Sequence, residues 1–569
     1  MTPSIPTGET RVLGERALLV GVRDAAAARA LAAALAPALV AACGRDAAEH
    51  AVEVVCGFAT VGVVLTDPVV DLATVRDAVE RVLAAGAEPA TPADGRPVTI
   101  PCAFDGPDLD EVAARSGCST GDVVAQLTAH ELTVAVVGFS PGFAYLDGLP
   151  APLQRVPRRA EPRPAVPAGS VALAGGHAAV YPTPSPGGWN LIGRTGFPLF
   201  SLEHPPFAVL APGDRVQFSV AAADDPVSPH PMRPAPAWSP PGAARRVFEV
   251  VAPGLRAVLQ DGGRRGVAAV GVPAAGAADP VSFVLANALV GNPAGAGALE
   301  ITGGATRLRC VESCHAAIVG AAPELRVDGA PVPDGQLVPL APGQAFEVRG
   351  LEQGCRTYLA VAGGLLGPTA FASVSSDELC RLGAGPLEAG GHLWAGPWAP
   401  PLGDHLEAGA RRELGAEIDT ESPVELRVVP GPHPEWFERD ALTRLAATVF
   451  AVAAESNRVG LRLRAEGAPP TLRAGDSGHE LDSQCVVTGA IQVPPDGNPV
   501  VLLPDHATLG GYPVVAVVAA ADHGRLGQCG PGTPVRLVPI GAEEAGGAWR
   551  AQRRAVAGAV VGHYPLSAG

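Results

Sequence analysis

The sequence predicts a mainly β protein with an α+β portion: a small N-terminal α+β domain followed by barrel-like β units. Three observations lead there. Gly 70 and Pro 59 among 569 residues punctuate apolar runs and do not gather in tracts, so they read as turns between strands. Residues 1–95 alternate strand and helix patterns in the order β-α-β-β-α. One strand-closing phrase recurs three times, as LAPGDRVQFSV at 210–220, LAPGQAFEVRG at 340–350 and CGPGTPVRLVPI at 529–540. Pro-Gly suits the centre of a type II turn, and the alternation after it suits a closing strand.

In chain order, a strand is expected around Val12–Val22 and an Ala-rich helix over Asp24–Ala42. A strand pair spans Ala51–Leu65, and a helix covers Leu72–Ala84, where Val75, Val79, Val82 and Leu83 share one face. These fill a first domain, 1–95. In the next unit, 96–221, VTIPCAF is a strand, and Asp108-x-x-Glu111 has the spacing of a capping box opening a short helix. A helix over Thr120–Ala129 and a strand over Leu132–Val137 follow, then short strands and Gly/Pro turns. Residues 222–246, rich in Pro and Ala without periodicity, read as a linker. The second half divides at a weaker break near 396–422 into a first β-barrel unit, 247–400, and a second, 401–545, with a polar tail at 546–569.

Composition excludes several kinds of chemistry. A net charge of −16 argues against nucleic acid and anionic membranes as partners. Lysine is absent, so all 41 Lys+Arg residues are arginine. A Walker A lysine, a Schiff-base lysine and a biotin-bearing lysine are therefore excluded, and no covalently bound biotin is expected. The ten cysteines form no CxxC pair, so no metal is expected. No signal peptide opens the sequence and no run of 18 apolar residues appears, which fits a reduced, cytoplasmic protein.

Four groups of residues stand out as candidates. Gly138–Leu146 (GFSPGFAYL) brings Phe139, Phe143 and Tyr145 together in a chain with 4% aromatics, either as a pocket floor or as an aromatic core beneath a turn. Arg158, Arg159 and Arg163 lie on a Pro-stiffened loop, and Trp189 and Arg194 flank a Gly-Gly pair. Guanidinium forks suit carboxylate or phosphate, and a solvated basic loop is the alternative. Gln260, Asp261, Arg264 and Asp279, with Asn287 on the following helix, could hold a metal-nucleotide or orient a water, or could equally be turn and cap residues. Arg458, Gln492, Asp505 and Tyr512 each sit where a strand meets a polar tip.

Taken in order, these motifs resemble two families joined end to end. Residues 1–220 resemble the B subunit of bacterial ATP-dependent 5-oxoprolinases, also described as the kinase-inhibitor or allophanate-hydrolase-subunit-1 family. The resemblance rests on GFxPGFxYL at Gly138–Leu146, then VPAGSV, YP and PGGWxLIGRT. Residues 247–540 resemble the C subunit, the biotin-dependent carboxyltransferase-like or allophanate-hydrolase-subunit-2 family, through QDxGRxG, GVPxxGxxD, ANxLVGN, GAIQVP and GGYP. Departures include His177 where the family carries Gln, and Ala372-Ser373-Val374-Ser375-Ser376 in place of GSRST.

The resemblance implies cyclophilin-like β-barrel units and a B–C fusion. With a separate A-type oxoprolinase subunit as partner, such a fusion would cleave 5-oxo-L-proline to L-glutamate at the expense of ATP, with Mg²⁺. It further implies anion binding by Arg158, Arg159, Arg163 and Arg194. Phe139, Phe143, Tyr145, His177, Trp189, Gln260, Asn287, Arg458 and Tyr512 would join them in binding substrate or nucleotide, and Asp261, Arg264, Asp279, Gln492 and Asp505 would act in catalysis. A small-molecule substrate and a homo-oligomer are further expectations. The alternatives are a carboxyltransferase taking carboxybiotin from another chain, as in urea amidolyases, and a non-enzymatic inhibitor of a histidine kinase.

Overall fold

The computed structural model describes residues 5–86, 95–203, 207–222, 238–321, 323–351, 353–397, 405–406, 413–414, 416–419, 422–465, 481–556 and 560–561. The chain is mainly β, in four consecutive units. The first is an antiparallel sheet of Thr10–Val12, Ala17–Gly21, Thr60–Leu65 and Val52–Cys56, in that spatial order. The single strand expected over Val12–Val22 is two strands, turned at Gly14 with φ +68°.

Two helices cover one face of this sheet, Ala25–Cys43 and Leu72–Ala84, with Asp24 and Asp71 accepting from the backbone N–H of Ala27 and Ala73 at their N-termini. Among the described residues, Ala25–Cys43 alone is long and apolar enough to cross a membrane by length and composition. Its Ala28, Leu31, Leu35 and Leu39 are buried in the core that it shares with the sheet.

The second unit is a seven-stranded, nearly closed barrel. Its first strand, Pro97–Cys102, runs parallel to its last, Arg215–Val220, and a bridge from Ala103 to Arg194 joins the remaining edges. Asp108 precedes the helix Leu109–Ser116 without capping it by its side chain; the capping box belongs to Ser119 and Asp122 at the next helix, Thr120–Ala129. Residues 223–237, most of the expected linker, lie outside the described residues. The following strand, Arg245–Ala252, starts within the linker range.

The third unit is two packed sheets, of seven and five strands, around a core that includes Phe248, Leu299, Ile318 and Phe346. The fourth is a closed barrel in which Val424–Pro430 pairs parallel with Pro534–Pro539. The stretch read as a polar tail opens instead as part of a packed helix, Ala542–Val556.

The repeated phrase behaves as one device. Gly213, Gly343 and Gly532 have φ of +98°, +91° and +84°. In each turn the residue after Gly donates its N–H to the carbonyl before Pro: Asp214 to Ala211 at 3.0 Å, Gln344 to Ala341 at 3.2 Å and Thr533 to Gly530 at 3.0 Å. Only glycine takes that φ without strain. Two of the strands that follow close barrels in parallel. The third, Ala345–Leu351, pairs antiparallel with both neighbours, and for that reason this unit is two sheets and not one barrel.

One apolar core joins the two halves of the chain. Leu13, Ala17, Leu19 and Val55 of the first unit meet Phe143, Tyr145 and Trp189 of the second and Cys485, Leu509 and Val517 of the fourth. Glycine makes the approach possible at Gly62, where a Cβ would overlap the side chain of Cys485.

Candidate functional site

GFSPGF forms a tight turn after the strand Leu132–Val137. Phe143 donates its N–H to Ser140 O at 3.0 Å, Gly142 has φ +72°, and Phe139 itself takes φ +71°. A non-glycine residue there is strained, and the surrounding aromatic packing holds it. Phe143 is the hub: its ring lies 4.9 Å from Tyr145, 5.3 Å from Phe139 and Tyr181, and 6.0 Å from Trp189, all tilted edge to face. The centre of this cluster is core, with Phe143 and Trp189 buried.

Its edge is polar. The Tyr145 hydroxyl faces the Ser483 side chain, and the exposed Arg158 lies near the hydroxyls of both Tyr145 and Tyr181. Burial raises both phenols, Tyr181 up to about 12, so each stays a neutral donor. His177 Nδ1 sits 2.5 Å from Asp147 Oδ1, with Phe58 tilted over the imidazole at 4.6 Å. Burial pushes the Asp482 carboxyl up, against the pull of the nearby His177. Tyr145, Arg158, His177 and Tyr181 come from the B-like half, and Asp482 and Ser483 from the C-like half. The site exists only because the halves dock.

Arg159 and Arg163 of the basic loop have partners within the same unit. Arg159 and Arg163 both reach Asp108 Oδ1, at 3.0 and 2.7 Å, and the Leu191 N–H donates to Asp108 Oδ2 at 2.7 Å. Burial alone would raise Asp108, but Arg163 and the Leu191 amide hold it below the usual carboxylate range. Arg194 pairs with Asp105 on the surface at 2.9 Å.

The acids and arginines of the C-like half form a separate, buried network. Asp261 accepts from Ser373 Oγ and Ser375 Oγ at 2.6 Å each, and from the N–H of Val374 and Gly263. Arg264 donates to Asp377 at 3.0 Å and to Ser375 O, and burial pushes the Asp377 carboxyl up to about 6. Gln260 donates to Ser376 O. Asp279 caps the helix Pro280–Leu289 through the N–H of Val281 and Ser282 and also accepts from Gln528.

Arg458 makes four bonds, two to Asp505 (3.0 and 2.9 Å), one to Glu300 (2.5 Å) and one to Gly276 O (2.6 Å). Asn287 bonds Ala296 O and Asn292. Gln492 reaches Tyr512 O at 3.3 Å, while the Tyr512 side chain is exposed. For Asp261 and Asp279 the turn and cap reading thus describes the geometry. Asp505 and Arg458 tie the third unit to the fourth, and none of these side chains reaches the aromatic rim.

Sequence reasoning found Phe139, Phe143, Tyr145, Arg158, His177 and Trp189 around one centre. It missed Phe58, Asp147, Asp482 and Ser483, and in the network Glu300, Tyr358, Arg356, Asp377 and Gln528. Among the described residues, no three His, Cys, Asp or Glu side chains are grouped to hold a metal ion.

Comparison with known proteins agrees with this division. Residues 9–210 match the carboxyltransferase domain, subdomain C and D, and residues 270–539 match the carboxyltransferase domain, subdomain A and B. The chain belongs to the carboxyltransferase-domain family. It is 34% identical to the 5-oxoprolinase C subunit of Escherichia coli K12 over 314 residues, 54% of this chain and 96% of that protein. It is 41% identical to the 5-oxoprolinase B subunit of Escherichia coli O157:H7 over 173 residues, 30% of this chain and 78% of that protein.

A fusion of B-like and C-like halves is therefore what this family member is. A urea amidolyase of Lachancea kluyveri is 30% identical over 312 residues, 52% of this chain and 17% of its own length. The crystal structure of TTHA0988 is 33% identical and superposes with a TM-score of 0.78 over 92% of this chain and 99% of that one.

Proposed function

We propose that the chain is the fused B–C component of an ATP-dependent 5-oxoprolinase, opening 5-oxo-L-proline to L-glutamate together with a separate A-type subunit. The observation that carries this reading is the polar rim to which both halves contribute, over an aromatic floor. Arg158 takes the substrate carboxylate as a charge-assisted pair. The neutral hydroxyls of Tyr145 and Tyr181 donate toward the lactam oxygen, where negative charge grows when the amide is activated and attacked. Asp482, with the His177–Asp147 pair beside it, orients the lactam N–H.

A lactam carbonyl is a poor electrophile, and ATP supplies the activation in this reaction class. Among the described residues, the candidate acids are not arranged as a Mg²⁺–nucleotide cradle. There is no lysine, and Asp261, Asp279 and Asp505 are engaged by amides, serines, a glutamine and an arginine. The nucleotide is assigned to the partner, and this chain binds, orients and desolvates the lactam.

The test is 5-oxoproline-dependent ADP release by the full chain mixed with its cognate A-type subunit. Arg158→Met should lower kcat/KM roughly 10- to 100-fold, the worth of one hydrogen-bonded ion pair. Absence of release from the unmodified pair would sink the proposal. The carboxyltransferase family match favours one second reading, transfer of a carboxyl group from carboxybiotin on another chain. Decarboxylation of carboxybiotin by this chain without any A-type subunit would select it.

A further inference from the structure

A cavity of about 370 Å³ lies apart from the aromatic rim, where the first unit, the 261–284 segment, the fourth-unit loops at 485–488 and 503–506, and the helix Ala542–Val556 converge. That volume is at the lower end for small-molecule sites. Its walls include Val55, Val272, Phe283 and Leu503. Its distinguishing group is Arg16.

Arg16 stands just after the Gly14 turn, its guanidinium carbon 5.6 Å from the centre of the Trp549 ring. Its one hydrogen bond is a long one, 3.4 Å to Thr488 O. Among the described residues it makes no ion pair. The adjacent carboxylate, Glu15, favours the charge of Arg16 through space but spends its own hydrogen bond on the Ala520 N–H at 2.6 Å. Most other charges on the wall have direct partners: Arg264 has Asp377, Arg553 has Asp67, Glu53 accepts the Gly266 N–H, and Asp261 is held by serines and amides, while the exposed Arg265 acts on Glu53 through space. Burial lowers the affinity of Arg16 for its proton, yet a guanidinium stays charged. The cavity therefore holds a half-buried cation that, among the described residues, no carboxylate contacts directly.

Such a cation, with one long hydrogen bond to a carbonyl, is open to a bound anion. The planar fork fits a carboxylate, the Trp549 ring lies against the guanidinium, and Val55, Val272, Phe283 and Leu503 offer apolar wall for the rest of a ligand. We propose that this cavity is a second binding site, for a small organic carboxylate with an apolar body gripped by Arg16. Because its walls come from both halves, occupancy strengthens their docking and couples the site to the rim. The inference does not depend on the oxoprolinase reading.

The experiment is calorimetric titration of the full chain with benzoate, 5-oxo-L-proline, L-glutamate and inorganic phosphate, in the unmodified protein and in Arg16→Met and Arg158→Met. At least one carboxylate should bind with an affinity that falls tenfold or more in Arg16→Met and holds in Arg158→Met, with phosphate weaker. Benzoate alone, or a metabolite as well, distinguishes a merely complementary cavity from one serving the proposed reaction, and both support the site. Equal binding of every carboxylate by the unmodified and Arg16→Met proteins, or none by the unmodified protein, overturns it. The unfolding midpoint of Arg16→Met without ligand should match or exceed that of the unmodified protein. Failure of that variant to fold would show that the chain already compensates this charge, and would likewise overturn the inference.

Discussion

Replacing Arg458 by Met isolates the network that joins the third and fourth units. The guanidinium and both its carboxylate partners are essentially out of water, with side chains 2% exposed for Arg458 and 0% for Glu300 and Asp505. Without it, Glu300 keeps the Tyr358 hydroxyl at 2.8 Å, the Ala278 N–H at 3.0 Å and Arg356 at 3.4 Å, whereas Asp505 keeps the Glu378 N–H at 2.9 Å. Asp505 therefore bears most of the loss. Removing one partner of a buried pair costs about 3–5 kcal/mol, and the surviving bonds to Glu300 place this case near 3.

The loss falls on the seam between the third and fourth units, where Arg458 meets Glu300 and Asp505. Hydrogen exchange across Ala298–Thr302 and Gly460–Ala465 reads it locally, which suits a chain of four units better than one global midpoint. A gap under about 1 kcal/mol would refute the claim that Arg458 neutralises two buried carboxylates.

Other outcomes follow from the same geometry. Burial pushes His433 down from 6.5 to about 4 and His523 to about 3, so the unfolded chain binds protons that the folded chain refuses. Stability should be complete above pH 6.5 and fall as pH drops toward 4, by roughly 3 kcal/mol for His433 alone; a urea midpoint that stays flat over that window contradicts this. Gly62→Val drives a side chain into Cys485 and should loosen the docking of the halves by about 1–3 kcal/mol, seen as faster exchange at 484–487 while the helices of the first unit stay protected. Tyr145→Phe keeps the ring but loses the hydroxyl that faces Ser483, so KM for the lactam should rise several-fold with little change in the unfolding midpoint.

What is legible in the sequence is local. Leu72–Ala84 and Thr120–Ala129 form as read because cap and apolar periodicity lie within one segment, and the three Pro-Gly turns form because glycine supplies the positive φ in place. Asp108 departs from its capping-box spacing because its partners, Arg159, Arg163 and the Leu191 amide, lie 51 to 83 residues downstream and outcompete the helix N-terminus for its oxygens. The helix Ala542–Val556 carries its own signal, with Glu543 and Glu544 in the first turn and Arg553 and Arg554 in the last, but the same charges also suit a solvated tail. At the site, the GFSPGF aromatics announce themselves. Phe58, Asp482 and Ser483 do not, because packing of the first unit on the second brings Phe58 to Tyr145 and His177, and docking of the C-like half brings Asp482 and Ser483 from some three hundred residues downstream.

The absence of lysine gives the buried network its form. Arg458 satisfies two carboxylates and a carbonyl at once because five N–H donors project in one plane, and Asp505 takes two of them side by side. An ammonium is a point charge with three donors, and it cannot span Asp505, Glu300 and Gly276 O from one position while keeping that paired contact. Arg458→Lys should therefore retain the neutralisation and lose the geometry, costing about 1–3 kcal/mol for the groups left short of a donor. It should fall between the unmodified protein and Arg458→Met in the same exchange measurement. A lysine variant as protected as the original would mean that charge alone holds the two units together. A lysine variant as weak as methionine would mean that the forked bonding does.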